Sequence, residues 1–240
     1  MIDAKIYSQD QIAKINEILK EQSPQEIINY FYTNHAGRIA LSSSLGAEDQ
    51  VLTDMIVKKY PEARIFTLDT GRMFKETYEL IDEVNEKYQI HIEVFFPDYH
   101  FVEKLVNEKG IRSFYKSIAN RKECCRIRKI APLKRALEGL DVWVCGLRKD
   151  QSVTRFFNEI VELDTGNNLL KISPLLNWTE DQVWEYIKQN NVPYNKLHDQ
   201  NYPSIGCQPC TRAVEPGEDI RSGRWWWEEP EQKECGLHKK

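Results

Sequence analysis

Five cysteines carry the chemistry that can be read from this sequence. Cys124 and Cys125 are adjacent, Cys207 and Cys210 are spaced as Cys-x-x-Cys, and Cys235 stands near the end in Glu234-Cys235-Gly236-Leu237-His238. Four thiolates match the ligand count of a [4Fe–4S] cluster or of a structural zinc ion. Adjacent cysteines bond to each other only under strain. Zinc sites more often use two spaced pairs, so the vicinal pair favours iron–sulfur, although spacing leaves zinc open. Cys235 is left over. His238, Lys239 and Lys240 favour its thiolate, which is the reactive form; the competing reading is an ordinary tail thiol. The sixth cysteine, Cys145, lies in the apolar run 142–146 and is expected in the core. Four thiols that bind and one that attacks suggest a redox enzyme.

Basic side chains gather around these cysteines. Arg121, Lys122, Arg126, Arg128 and Lys129 flank the adjacent pair, Arg148 and Lys149 follow a later strand and continue to Arg155, and Arg212, Arg221 and Arg224 follow the second pair. Such a concentration in an acidic chain fits an anionic substrate bearing phosphate or sulfate. For Arg121 and Lys122 a solvated helix face is the expectation.

The elements that position these groups follow from periodicity. Ser8 caps a first helix and Ser23-Pro24 opens a second. Strands are expected at 38–42, 64–68, 91–96 and 142–145, alternating with helices at 48–60 and 74–88 and a third capped by Asp98. That alternation means a mainly parallel sheet covered by helices on both faces, an α/β fold. Residues 157–163 and 169–172 read as a hairpin-like extension, and 179–189 as a helix. Beyond Pro193 the periodicity fails. We therefore divide the chain into an α/β domain over 1–192, which includes Cys124 and Cys125, and a C-terminal segment over 193–240 with the Cys-x-x-Cys pair and the Cys235 tail, folded over the domain without a core of its own.

Ligands of open parallel sheets sit beyond the carboxyl ends of the strands. Two loops there are informative. Ser42-Ser43-Ser44-Leu45-Gly46-Ala47-Glu48-Asp49 puts hydroxyls and a glycine at a helix start, which suits an anion or nucleotide. It lacks the Gly-Lys-Ser/Thr ending of a Walker loop, and a serine-rich cap is the plainer alternative. Leu68-Asp69-Thr70-Gly71-Arg72 offers an acid, a hydroxyl and a guanidinium for ribose and phosphate, or else a simple turn.

The bulk numbers exclude other classes. The chain has 240 residues and a formal net charge of −4, so its overall balance calls for neither nucleic acid nor a membrane surface. No apolar run approaches the roughly 20 residues that span a bilayer, and Met1-Ile2-Asp3-Ala4-Lys5 does not read as a signal segment, so none is expected. A cytoplasmic location is expected, where paired cysteines bind metal or do redox chemistry rather than form disulfides.

Together these motifs resemble one family, the assimilatory adenylyl-sulfate reductases of the phosphosulfate reductase family, in the branch that bears an iron–sulfur cluster. The resemblance runs through the two loops above, Cys124-Cys125-Arg126-Ile127-Arg128-Lys129, Gly146-Leu147-Arg148 and Tyr202-Pro203-Ser204-Ile205-Gly206-Cys207-Gln208-Pro209-Cys210-Thr211-Arg212. It continues in Gly223-Arg224-Trp225-Trp226-Trp227-Glu228 and the Cys235 motif. It implies an adenine nucleotide alpha hydrolase-like fold, related to the PP-loop ATP pyrophosphatases, with a C-terminal catalytic tail. In those relatives the first loop reads Ser-Gly-Gly-x-Asp-Ser; Ser43-Ser44-Leu45-Gly46 here fits nucleotide binding without ATP cleavage.

By the same resemblance Cys124, Cys125, Cys207 and Cys210 ligate one [4Fe–4S] cluster per subunit. Cys235 is the nucleophile, with His238 beside it and Lys129 between cluster and substrate. Arg148, Arg221 and Arg224 surround the phosphosulfate, while Ser43, Ser44, Glu48, Asp49, Thr70, Arg72 and Gly146 receive the adenosine and its phosphate. The implied substrate is adenosine 5'-phosphosulfate (APS), and the implied reductant is thioredoxin or a glutaredoxin-like protein. Use of the 3'-phosphorylated nucleotide (PAPS) as well and a zinc-binding structural module are the alternatives. The family often forms homo-oligomers, though no interface patch is legible in the sequence.

Overall fold

The structure, a computed structural model, describes residues 7–151 and 157–229. Cys235, His238 and Arg155 lie outside the described residues.

Two capped helices open the chain. In α1 (Gln9–Leu19) and α2 (Pro24–Asn34), Ser8 with Gln11 and Ser23 with Glu26 form reciprocal capping boxes. Among the described residues the sheet has six strands: β1 (Ile39–Ser42), β2 (Arg64–Leu68), β3 (Glu93–Phe95), β4 (Val142–Val144), β5 (Val161–Asp164) and β6 (Leu169–Ile172). Their order is β3-β2-β1-β4-β6-β5, parallel throughout except for the β5–β6 pair.

Burial on both sides follows from alternation along each strand. Ile39, Leu41, Ile65, Val142 and Val144 face one apolar core, shared with α2, α3 (Ala47–Val57), α4 (Lys75–Tyr88) and α8 (Glu180–Asn190). Ala40, Phe66 and Trp143, one residue out of step, face a second core with α7 (Ala131–Leu137). Cys145 belongs to this second core at 1% exposure, as expected.

The hairpin is part of the main sheet rather than an extension. Beside its antiparallel contact with β5, β6 pairs in parallel with β4, because Leu170 and Ile172 complete the first core and Leu169 the second. The third strand is shorter than expected, with Pro97 soon after its end. Beyond Pro193 the longest regular pieces among the described residues are short 3₁₀ turns at Lys196–Gln200 and Gln208–Cys210.

The helix bearing the vicinal cysteines has a local irregularity. After α5 (Tyr99–Lys109), Ser117 caps α6 (Ile118–Cys125), which runs through a π-helical turn at Arg126–Ile130 into α7. Pro132 explains the turn. It has no N–H for the carbonyl of Arg128, and its ring crowds that carbonyl. The Ala131 N–H instead reaches five residues back to Arg126.

Candidate active site

Strand order reverses between β1 and β4, and a crevice is expected at their carboxyl ends. A cavity of about 250 Å³ opens there. The loop after β1 contributes Ser43, Ser44, Glu48 and Asp49, the loop after β2 contributes Thr70, and the loop after β4 contributes Gly146 and Arg148. Lys129 enters from the π turn, and Cys207, Arg221 and Arg224 come from the C-terminal segment.

Asp49 joins the first and third loops. Its Oδ2 accepts from the Ser44 amide at 2.6 Å and the Ser44 hydroxyl at 2.7 Å. A Cβ on Gly146 would fall 2.2 Å from Asp49 Oδ1, so only glycine permits this approach. Burial raises the Asp49 carboxyl to about 6, against the pull of hydrogen bonds from Ser44 and Gly146. Leu45, in the same loop, holds a left-handed φ of 62°, a conformation costly for a branched side chain. Arg148 is buried and donates to Glu48 at 2.7 Å, so its charge reaches the cavity already partnered. Asp69 turns back on its own loop, accepting from the Gly71 amide at 2.6 Å and from the Tyr78 hydroxyl. Gly71 takes the left-handed φ of 69° that this turn needs.

Cys124, Cys125, Cys207 and Cys210 line a second cavity, of about 20 Å³, with no carboxylate among its described lining residues. Lys129, Cys207, Arg224 and Trp225 belong to the walls of both cavities. Arg72 stands on the cysteine side. Its guanidinium lies 4.7 Å from the Phe114 ring centre and donates to the Ile111 carbonyl, so it does not line the larger cavity with Thr70.

The thiols of Cys124, Cys207 and Cys210 are electrostatically unequal. Burial opposes the Cys207 thiolate, but Lys129, the Thr70 hydroxyl at 3.3 Å, Arg224 and Arg72 outweigh it and lower the pKa. Burial raises Cys124, and burial together with the neighbouring Cys207 pushes Cys210 up to about 12. Three buried donors nearby, Arg128 Nε, Trp225 Nε1 and Trp227 Nε1, have no acceptor among the described residues. Also among the described residues, no three His, Cys, Asp or Glu side chains converge closely enough for a single metal ion.

Arg121 corrects the sequence reading: it is 0% exposed rather than on a solvated face, whereas Lys122 is exposed. Positions 121, 124 and 125 share a helix face by their spacing, a signal that was present in the sequence. Its fixed partner, Glu228, was not legible, since the two are 107 residues apart. Trp143, Trp184 and Glu180 also line the larger cavity, unmarked by any motif.

Comparison with known proteins extends these observations. The phosphoadenosine phosphosulfate reductase domain matches residues 38–213. The adenosine 5'-phosphosulfate reductase of Allochromatium vinosum is 53% identical over 202 residues, 84% of this chain and 79% of that protein. That of Pseudomonas aeruginosa is 47% identical over 226 residues, 92% of this chain and 84% of the relative. Among solved structures, the phosphoadenylyl-sulfate reductase of Candida auris in a phosphate complex superimposes with a TM-score of 0.73 at 30% identity, covering 87% of this chain and 98% of its own. The Candida glabrata FMN adenylyltransferase, 16% identical with a TM-score of 0.56 over 98% of this chain and 78% of its own, shares the fold alone. The architecture is the adenine nucleotide alpha hydrolase-like one expected from the motifs. With nearly three quarters of its length inside the family's match, this chain belongs to the phosphoadenosine phosphosulfate reductase domain family.

Proposed function

We propose that the chain is an adenylyl-sulfate reductase, reducing APS to sulfite and AMP at the expense of thioredoxin or a glutaredoxin-like protein, in assimilatory sulfate reduction. The observation that carries this reading is the wall shared by the two cavities, where Lys129, Cys207, Arg224 and Trp225 face both. A nucleotide in the larger cavity would have its anionic end against cations that also border four thiols. The relatives' names, adenosine 5'-phosphosulfate reductase, support the same substrate.

Cys124, Cys125, Cys207 and Cys210 would hold one [4Fe–4S] cluster per subunit. The residues fit that group: an all-thiol donor set, with Arg128 Nε, Trp225 Nε1 and Trp227 Nε1 as buried donors in want of acceptors, suits a sulfide-rich anion. When bound, the cluster supplies charge and local order, since thiols account for both electrons. Ser43, Ser44, Glu48, Asp49, Thr70 and Gly146 receive the nucleoside and its phosphate, with Arg72 supporting the loop from the cysteine side. Lys129, Arg148, Arg221 and Arg224 neutralise the phosphosulfate.

The reaction divides into two displacements. The Cys235 thiolate, with His238 three residues on in the sequence, attacks the sulfur of APS. A sulfur–sulfur bond forms, the sulfur–oxygen bond breaks, and its electron pair leaves on the phosphate of AMP. A thiolate of the reductant then attacks the Cys235 sulfur, expelling sulfite. The second reductant thiol releases Cys235 and closes a disulfide, so the dithiol supplies two electrons and sulfite carries them. The segment 193–240, proposed here as a unit apart from 1–192, must admit two partners in turn. The cytoplasm is the compartment that suits free thiols and such a reductant.

Use of PAPS as well is a second reading, favoured by the likeness to the phosphoadenylyl-sulfate reductase of Candida auris. Sulfite release with each nucleotide, thioredoxin supplied, tests both readings. APS should support turnover, and Cys235→Ser should abolish it while leaving the visible chromophore. An active Cys235→Ser protein, or turnover with PAPS alone, contradicts the proposal.

A further inference from the structure

Arg121 is wholly buried on α6, three residues before Cys124, and no step of the reaction above uses it. Its Nε donates to Glu228 Oε1 at 3.0 Å and its Nη2 to Oε2 at 2.6 Å, a two-pronged pair with the Glu228 side chain only 2% exposed. The same guanidinium lies 4.8 Å from the centre of the Trp225 ring, as does that of Arg224. Trp225 is buried, holds a left-handed φ of 42°, and borders both cavities. An ion pair taken this far out of water is poor value as a source of stability, because apolar side chains of similar volume stabilise as well. What a forked, charged pair adds is a single fixed geometry.

Glu228 precedes Cys235 by seven residues, 235 minus 228. Seven residues span at most ~24 Å when fully extended, so the place where Glu228 is held bounds the reach of the proposed nucleophile. We infer that Arg121 is a positioning residue: by fixing Glu228 and Trp225 against the cysteine-bearing helix it sets the point of departure of the Cys235 segment. The inference rests on the reductase reading. Its energetic content is effective concentration, since a loosened anchor lowers the rate of an intramolecular attack without weakening nucleotide binding.

The test uses full-length, cluster-loaded protein as wild type, Arg121→Met/Glu228→Leu and Arg121→Lys. The double variant removes the Arg121 and Glu228 charges together, whereas either single truncation leaves one of them unpaired; because Arg121 also interacts with the Cys125 sulfur, the variants compared are those whose visible spectrum matches wild type. Arg121→Lys keeps the charge and loses the fork. Three quantities are read: AMP affinity by calorimetry, thermal midpoint, and the single-turnover rate of sulfo-enzyme formation at saturating APS without reductant. The double variant should form the adduct at least ~10-fold more slowly, the loss expected when geometry rather than affinity is disturbed, with AMP affinity and thermal midpoint close to wild type. Arg121→Lys should fall between the two. A double variant that sulfonates at the wild-type rate overturns the inference, as does a rate that falls only together with AMP affinity. A wild type that forms no adduct overturns the reductase reading, and this inference with it.

Discussion

At the scale of single residues, the site rests on groups held in states they would not choose alone. Asp49 is the clearest case. Burial raises its carboxyl to about 6, whereas an unfolded aspartate titrates near ~3.9. Between those values the folded chain binds more protons than the unfolded one, so this group makes stability fall as pH rises from about 4 to about 6 and adds no slope above. Two units correspond to ~3 kcal/mol. Asp49→Asn should therefore gain thermal stability relative to wild type on going from pH 4 to pH 7; parallel melting profiles would contradict this. Gly146 is the second case, because a Cβ would meet Asp49 Oδ1 at 2.2 Å. Gly146→Ala should lower kcat/KM for APS at least ~10-fold, about 1.4 kcal/mol of transition-state binding, with the visible spectrum unchanged. Unaltered kinetics would remove Asp49 from the account. Residue types announced the loops, but not these states: the Ser44–Asp49 bonds follow from the local spacing, whereas the Gly146 contact needs two strands placed side by side.

Among the elements, the π turn at Arg126–Ile130 matters most, for it carries Lys129 to the wall between the cavities. Pro132 creates that turn, so Pro132→Ala should restore a regular helix and rotate Lys129 away. Thermal stability should hold or rise, since a proline inside a helix costs ~3 kcal/mol relative to alanine, while kcat/KM for APS falls. A less stable variant with wild-type kinetics would refute the link. Helix starts were legible at Ser8, Ser23 and Asp98 because the capping chemistry is local. The place of β6 beside β4 was not, because a short apolar run states that it will be buried but not against which neighbour. Arg121 failed for a related reason. A charge on an expected helix reads as solvated until its partner, in this case Glu228, is brought to it by the fold.

Across the whole molecule, a chain of net charge −4 concentrates cations where a sheet end, a cysteine-bearing helix and a C-terminal segment meet. The alternation of strands and helices made the α/β class readable, and the motifs made part of the cavity lining readable, because both are written in local order; Trp143, Trp184 and Glu180 carried no such mark. The meeting of two cavities through Lys129, Cys207, Arg224 and Trp225 is a property of tertiary structure alone. We propose that this junction serves one displacement by Cys235 on an adenylyl sulfate. Its most direct test is the intact mass of wild-type protein incubated with APS and no reductant, followed by peptide mapping. One added sulfo group per chain is expected, on the peptide containing Cys235, with one equivalent of AMP released. AMP release without the adduct, or an adduct on any other cysteine, would contradict it.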